Sequence, residues 1–145
     1  MARLRPEPQE RTVILRETLD SVKRVFAQGL TPVVYTSREE LSFSDIQQRL
    51  QFGMLVSALL MDVVKGLPPE IGFLISKGGI TSNDVLSIGL NLTAARLVGQ
   101  ILPGCSVIRT ESNHPQFPNL PVVLFPGNVG NQDSLVVAWH RLRNS

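Results

Sequence analysis

Hydrophobic positions along the chain change period several times, and each change marks an element. Between Glu10 and Gln28, Ile14, Leu15, Leu19, Val22, Val25 and Phe26 recur at helical spacing, and Gly29 stands just past them, where a C-terminal cap belongs. Pro32-Val-Val-Tyr-Thr36 predicts a short buried strand with proline at its first position, where it is tolerated. The polar stretch Ser37 to Phe43 is a loop placed to reach a ligand. Ser42 and Asp45 have the spacing of a capping box and open a long helix to about Lys65. The apolar face of that helix carries Ile46, Leu50, Met54, Leu55, Ala58, Leu59, Met61 and Val63, and Gly66 with Pro68-Pro69 ends it. The run Ile71 to Ile75 then reads as a strand, and Thr81 with Asp84 forms a second capping box before a short helix from about Ser82 to Leu90. Ala94 to Leu102 and Ser106 to Arg109 read as strands around a Pro103-Gly104 turn. Thr110 to Asn119, with two prolines, is a loop; Val122 to Phe125 is a strand; and Gln132 to Arg143 is a helix with Leu135, Val136, Trp139 and Leu142 on one side.

Helix–strand alternation in the first half, followed by closely spaced strands, predicts the α/β class: a mixed, mainly parallel sheet flanked by helices in a single domain. That domain covers residues 10–145, behind a loose N-terminal tail of residues 1–9. With 145 residues the chain can bury roughly two-thirds of its unfolded surface. Its 43% hydrophobic and 18% charged residues describe a folded globular protein. The net charge of +2 is small, and the arginines cluster briefly only at the ends (Arg3, Arg5, Arg11; Arg141, Arg143), which argues against a nucleic-acid partner. Cys105 is the sole cysteine, so there is no internal disulfide, and this fits a reducing cytoplasm. The charged, proline-bearing first ten residues are unlike a signal peptide, and the apolar segment Phe52 to Val64 carries Asp62 and is too short to span a bilayer. The expected location is cytoplasmic, with no membrane partner.

Two glycine turns carry the candidate chemistry. Phe73-Leu-Ile-Ser-Lys-Gly-Gly-Ile-Thr-Ser-Asn-Asp84 runs from a strand through Gly78-Gly79 into a helix start. Glycine lets the backbone turn sharply and a ligand approach closely, and free N–H groups at a helix start suit an anion such as phosphate. Lys77 could neutralise a phosphate oxygen as a point charge. The second unit, Val122 to Phe125 followed by Pro126-Gly-Asn-Val-Gly130, repeats that logic. Two such turns at one edge of a sheet can hold opposite sides of a nucleotide; equally, both can be no more than tight strand–helix connections.

Other sites are set aside. There is no G-x-x-x-x-G-K-[ST], no G-x-G-x-x-G and no G-x-S-x-G nucleophile elbow. Cys105, His114 and His140 lack metal-ligand spacing, so no protein metal site is expected. His114 belongs to a proline-rich loop, and His140 falls late in the last helix, where it complements the helix dipole. Asp84 could meet a magnesium–nucleotide complex, but its capping position already accounts for it.

The ordered set of segments resembles the C-terminal, nucleotide-binding domain of the four-carbon acid sugar kinases. That family has a strand leading into S-G-G-D-T-A, an I-x-P-G-like turn, and a strand ending in K-S-G-x-F-G; here the counterparts are Ser76-Lys-Gly-Gly-Ile-Thr-Ser82, Ile101-Leu-Pro-Gly104 and Leu124-Phe-Pro-Gly-Asn-Val-Gly130. Val34-Tyr-Thr-Ser37 stands where the family has a strand ending in small hydroxyl residues, and the likeness covers roughly residues 10–143. It implies a domain that binds ATP or ADP with Mg2+, and a separate sugar-binding domain or subunit where the acid sugar is phosphorylated. By that resemblance Gly78, Gly79 and Thr81 line the phosphates; Lys77 is an extra charge beside the glycines that the family motif lacks. Gly127, Asn128 and Gly130 close the nucleotide from the second turn, and Ser37 joins from the first strand's end. Ile80 replaces the family's aspartate, Phe125 and Pro126 its lysine and serine, and Val129 its aromatic residue. No catalytic residue is assigned. The implied class is a kinase, a transferase of carbohydrate metabolism, inactive as this chain alone and open to homo-oligomerisation. The alternatives are a degenerate, non-catalytic ligand-binding or scaffold module of the same fold, and an unrelated α/β domain using the turns for another anion.

Overall fold

A computed structural model of the chain describes residues 8–37 and 42–145. The backbone gathers into two compact units that divide between Pro68 and Pro69. The expected tail at residues 1–9 falls mostly outside the described residues, as does most of the loop from Ser37 to Phe43.

The first unit is helical. Helix α1 spans Pro8–Ala27 and helix α2 spans Ile46–Lys65. Gly29, at φ 75°, ends α1 as the pattern predicts: its N–H donates to Phe26 O at 2.9 Å and the Leu30 N–H reaches back to Val25 O at 3.3 Å, which satisfies carbonyls the helix would leave open. Asp45, not Ser42, caps α2, its carboxylate accepting from the Gln47 N–H at 2.9 Å. The capping-box spacing is correct in kind but displaced by three residues, because Asp45 is itself a good cap. Val22, Met61, Val63 and Val64 are buried, and Arg11 pairs with Asp62 between the two helices. At Gly66 a Cβ would stand 2.5 Å from Leu19 Cδ1, so a side chain there would collide with α1. The front of the expected α2 face is not covered: Ile46, Leu50 and Met54 are exposed.

The expected strand Pro32–Thr36 takes no regular secondary structure and joins no ladder among the described residues, and Val33 and Tyr35 are 70% and 81% exposed. A run of β-formers favours a strand, but only a partner edge makes one.

The second unit holds the sheet. Strand β1 (Leu74–Lys77) leads into α3 (Gly79–Asp84), which continues as a π-helical turn over Val85–Gly89. Strands β2 (Arg96–Leu102) and β3 (Cys105–Arg109) form a hairpin around Pro103-Gly104, with Gly104 at φ 81°. Strand β4 (Pro121–Phe125) and helix α4 (Ser134–Arg143) complete it. Among the described residues the sheet runs β1-β4-β3-β2, with β1 and β4 parallel and the other two pairings antiparallel. The α/β class and the mixed sheet are as expected, but the balance is antiparallel rather than mainly parallel. Crossover helices force parallel pairing; here β2, β3 and β4 follow one another through a hairpin and a loop.

Val123 and Phe125 pack with Cys105 and with Ala138 of α4, while Val122, the residue before Val123, is buried on the opposite face. Ala138, not the expected Leu135 and Val136, is the buried position of α4; those two are exposed.

Candidate functional site

The site begins with the register of two strands. Parallel pairing sets Leu74 against Val122 and Lys77 against Phe125, so β1 and β4 end side by side and release their glycine turns at one end of the sheet. A hydrogen bond from Gly78 N to Phe125 O, 2.8 Å, ties the first turn to the last residue of β4.

Gly78 adopts φ 105° and ψ 139°, a conformation closed to ordinary side chains, and α3 starts on the next residue. The helix therefore begins two residues before Thr81. No side chain caps it, and Asp84 is its last residue; the Thr81–Asp84 capping box is not formed, because glycine reverses the chain first. Ser82 N already bonds Gly78 O at 2.9 Å, while the N–H groups of the preceding turn have no intrahelical acceptor. With six residues, α3 offers those N–H groups more than a macrodipole. Ser82 Oγ donates to Ser76 O at 3.1 Å and lies 3.2 Å from Ser76 Oγ, a buried hydroxyl pair that clamps the helix to the strand end. The composition of Ser76-x5-Ser82 is the sequence's only hint of that clamp.

In the second turn Gly130 is at φ 82°, and a Cβ there would stand 2.6 Å from Ser134 Oγ. The same Ser134 Oγ accepts from Asn131 N at 2.8 Å and meets Asn131 Oδ1 at 3.1 Å, a local polar knot leading into α4. Gly127 and Asn128 are exposed. The hairpin turn adjoins this loop: a Cβ on Gly104 would lie 3.1 Å from Val129 Cγ1.

Lys77 links the two turns. Its Nζ lies 4.6 Å from the centre of the Phe125 ring and 3.5 Å from Pro126 O. The ammonium from the first turn thus leans over the start of the second. Phe125, whose family counterpart is a lysine, is 1% exposed and belongs to the core; Ile80, where an aspartate is usual, is 81% exposed at the start of α3. Burial pushes the nearby Cys105 thiol above its ordinary value, and the Lys77 charge draws it partly back.

The structure brings together Lys77, Gly78, Gly79 and Thr81 with Gly127, Asn128 and Gly130 at one sheet end. Ser37, the remaining candidate, belongs to the irregular segment after α1 in the helical unit. His114 serves the fold: Nε2 faces Leu90 O at 2.8 Å and Nδ1 accepts from Phe117 N at 2.9 Å and Gln116 N at 3.2 Å, which assigns the proton to Nε2. Buried Thr110 closes the same loop, donating to Phe117 O and accepting from Leu120 N at 2.7 Å. Among the described residues no group of three His, Cys, Asp or Glu could hold a metal ion.

The family described as a nucleotide-binding C-terminal domain matches residues 1–135. The chain belongs to that family. This agrees with the C-terminal nucleotide-binding domain that the ordered motifs suggest, and it gives the domain's paired turns a shared context.

Among solved structures, a putative tRNA synthase from Salmonella typhimurium LT2 is similar with a TM-score of 0.68 and 22% identity, over 92% of this chain and 32% of that one. A domain of unknown function (DUF1537) from Bordetella bronchiseptica, solved with bound citrate as a domain-swapped dimer, is similar with a TM-score of 0.63 and 20% identity, over 99% of this chain and 33% of that one. These likenesses concern the fold of the domain, and the chain spans about a third of the length of either neighbour. No match is found among curated proteins.

Proposed function

We propose that this nucleotide-binding domain holds ATP or ADP between the turns Gly78–Thr81 and Gly127–Gly130. The observation that carries the reading is the parallel β1/β4 register, which delivers both glycine turns and Lys77 to the same end of the sheet, the end at which open α/β sheets bind ligands. Two glycines add support. A Cβ on Gly79 or Gly127 would meet nothing within 4 Å, and neither residue has a positive φ, so the fold itself does not demand them; close approach of a ligand gives them a reason.

The phosphates would lie against the free N–H groups of the first turn with the Lys77 ammonium beside them, Thr81 at the edge, and Asn128 and Gly130 closing the second side. Ser37 is carried by the family resemblance. The described residues supply no metal cluster, so Mg2+ would arrive on the nucleotide and be held chiefly by its phosphates. Bound there, it neutralises phosphate charge. In this reading the chain is the nucleotide half of a cytoplasmic acid sugar kinase, and phosphoryl transfer to a sugar-acid hydroxyl needs a second domain or subunit to place that hydroxyl. The assembly that accompanies the reading is a dimer, as in the Bordetella neighbour.

Calorimetry with ATP-Mg and with ADP tests the binding; absence of heat at nucleotide concentrations on the order of millimolar rejects it for this chain. Gly79→Asp is the matched variant. Its Cβ has open space, so the fold persists, while its carboxylate enters the cradle and repels phosphate. Binding should be lost with the circular dichroism spectrum unchanged. Exposed Ile80 in place of an aspartate favours a second reading, a non-catalytic module on the same turns. That module would bind its ligand equally well with and without Mg2+.

A further inference from the structure

We propose that the outer edge of β2 accepts an extended acidic segment of a partner protein as an added strand, with carboxylates of that segment on Arg96, Arg109 and Arg141. The surface belongs to the second unit alone and is independent of the nucleotide reading.

The charge is set by sequence and register. The second unit has four arginines, and three of them gather around one strand. Arg96 opens β2, and antiparallel pairing sets it directly opposite Arg109 of β3. Like charges facing one another across a ladder repel. No carboxylate among the described residues pairs with either one to offset that repulsion, and Arg109 is held only by its bond to Asn119 O at 3.0 Å. Arg141 reaches β2 from α4 and donates to Ile101 O. A guanidinium carries five N–H donors, so this bond leaves most of the fork available.

The pleat puts these groups on one side. Cys105 faces α4 in the core, and Arg109, four residues further along β3, shares its face. Arg96, its cross-strand neighbour, shares it too. Arg109 pairs with Pro121 at the start of β4, so the two arginines stand at the sheet end opposite the glycine turns. Between Arg96 and Ile101 the strand covers roughly 16 Å, the length of a guest segment of about five residues.

The strand itself is unfinished. β2 is an edge of the sheet, paired with β3 on one side, and no strand among the described residues takes the other. Leu97 is 68% and Val98 54% exposed, apolar side chains that a guest strand would cover while its backbone met the donors and acceptors of the edge. Arg141 already takes Ile101 O, so the open stretch is residues 96–100. The register slips between Leu97 and Gly99 and again between Gln100 and Leu102. Bulges and charge are the usual deterrents to indiscriminate pairing at an edge. Here the deterrent has a sign. β2 contains no acidic residue, so a second copy meeting it edge to edge brings one basic strip against another. An acidic strand meets attraction at the same place. Charge therefore selects the occupant.

The test uses the full chain and a fluorescein-labelled heptapeptide of alternating glutamate and valine. Anisotropy should show saturable binding below roughly millimolar peptide, and the lysine–valine counterpart should show none. Backbone amides of residues 96–100 that point away from β3 should exchange more slowly with the peptide present, read residue by residue by NMR. Arg96→Glu should weaken the peptide by roughly tenfold or more, with Arg96→Gln in between and both circular dichroism spectra unchanged. No binding of the glutamate–valine peptide overturns the inference. Equal binding of a glutamate–proline peptide, or protection that appears away from β2, reduces the surface to a patch of charge and overturns the strand addition. Tighter binding of a single-stranded oligonucleotide assigns the arginines to phosphates and overturns the protein partner. A chain that binds the peptide at β2 but gives no heat with ATP-Mg loses the nucleotide reading and keeps this one.

Discussion

Gly78 and Gly79 are neighbours in sequence with opposite duties. At φ 105° Gly78 is required by the backbone, and Gly78→Ala should cost about 1–2 kcal/mol of stability in urea unfolding, since an L side chain in the left-handed region clashes with its own carbonyl. Gly130 combines φ 82° with a Cβ site 2.6 Å from Ser134 Oγ, so Gly130→Ala should cost about 3 kcal/mol and loosen the Asn131–Ser134 knot. Gly79 is different. With open space and an ordinary φ, Gly79→Ala should hold or raise stability by about 0.5 kcal/mol, because alanine is the better helix residue. The same substitution should weaken ATP binding in calorimetry. A stability loss at Gly79 equal to that at Gly78 would show that its role is conformational and would remove one support of the proposed site. The sequence shows these three glycines alike; only the torsion angles and neighbours divide them.

Among elements, those whose signals are local were readable. The α1 stripe with its Gly29 cap, the Pro103-Gly104 hairpin and the proline-bearing loop before β4 all depend on residues a few positions apart. The parallel contact of β1 with β4 joins residues 48 apart, Leu74 to Val122, and no spacing in the chain announces it. Capping boxes failed for a definite reason. Thr81 and Asp84 have the right spacing, but Gly78 starts α3 before they can act, and Asp45 displaces Ser42 in α2. His114 was legible as a loop residue but not as a strut. By bridging Leu90 O to the N–H groups of residues 116 and 117, it ties the loop before β4 to the end of the π-helical turn. His114→Ala should therefore lower stability by about 2 kcal/mol in urea unfolding, the sum of its lost hydrogen bonds, while leaving nucleotide affinity within about twofold. A loss of binding without loss of stability would place the imidazole at the ligand instead.

At the scale of the whole molecule, a chain spanning about a third of its structural neighbours holds the paired turns of a nucleotide domain, with no carboxylate at the Ile80 position where its resemblance to the acid sugar kinases would put one. ATP turnover by this chain with a four-carbon sugar acid should be undetectable in an ADP-release assay; turnover would mean that it supplies the hydroxyl-placing groups itself. The placement of Cys105 has a separate consequence. The thiol is fully buried on β3, inside the sheet, beside Phe125 and within the field of Lys77. A disulfide-exchange reagent can reach it only when the sheet opens, so the rate of thiol modification is a clock for that opening. Modification should be slow in buffer and accelerate with urea. A ligand that engages Lys77 and stabilises the closed sheet should slow the clock further.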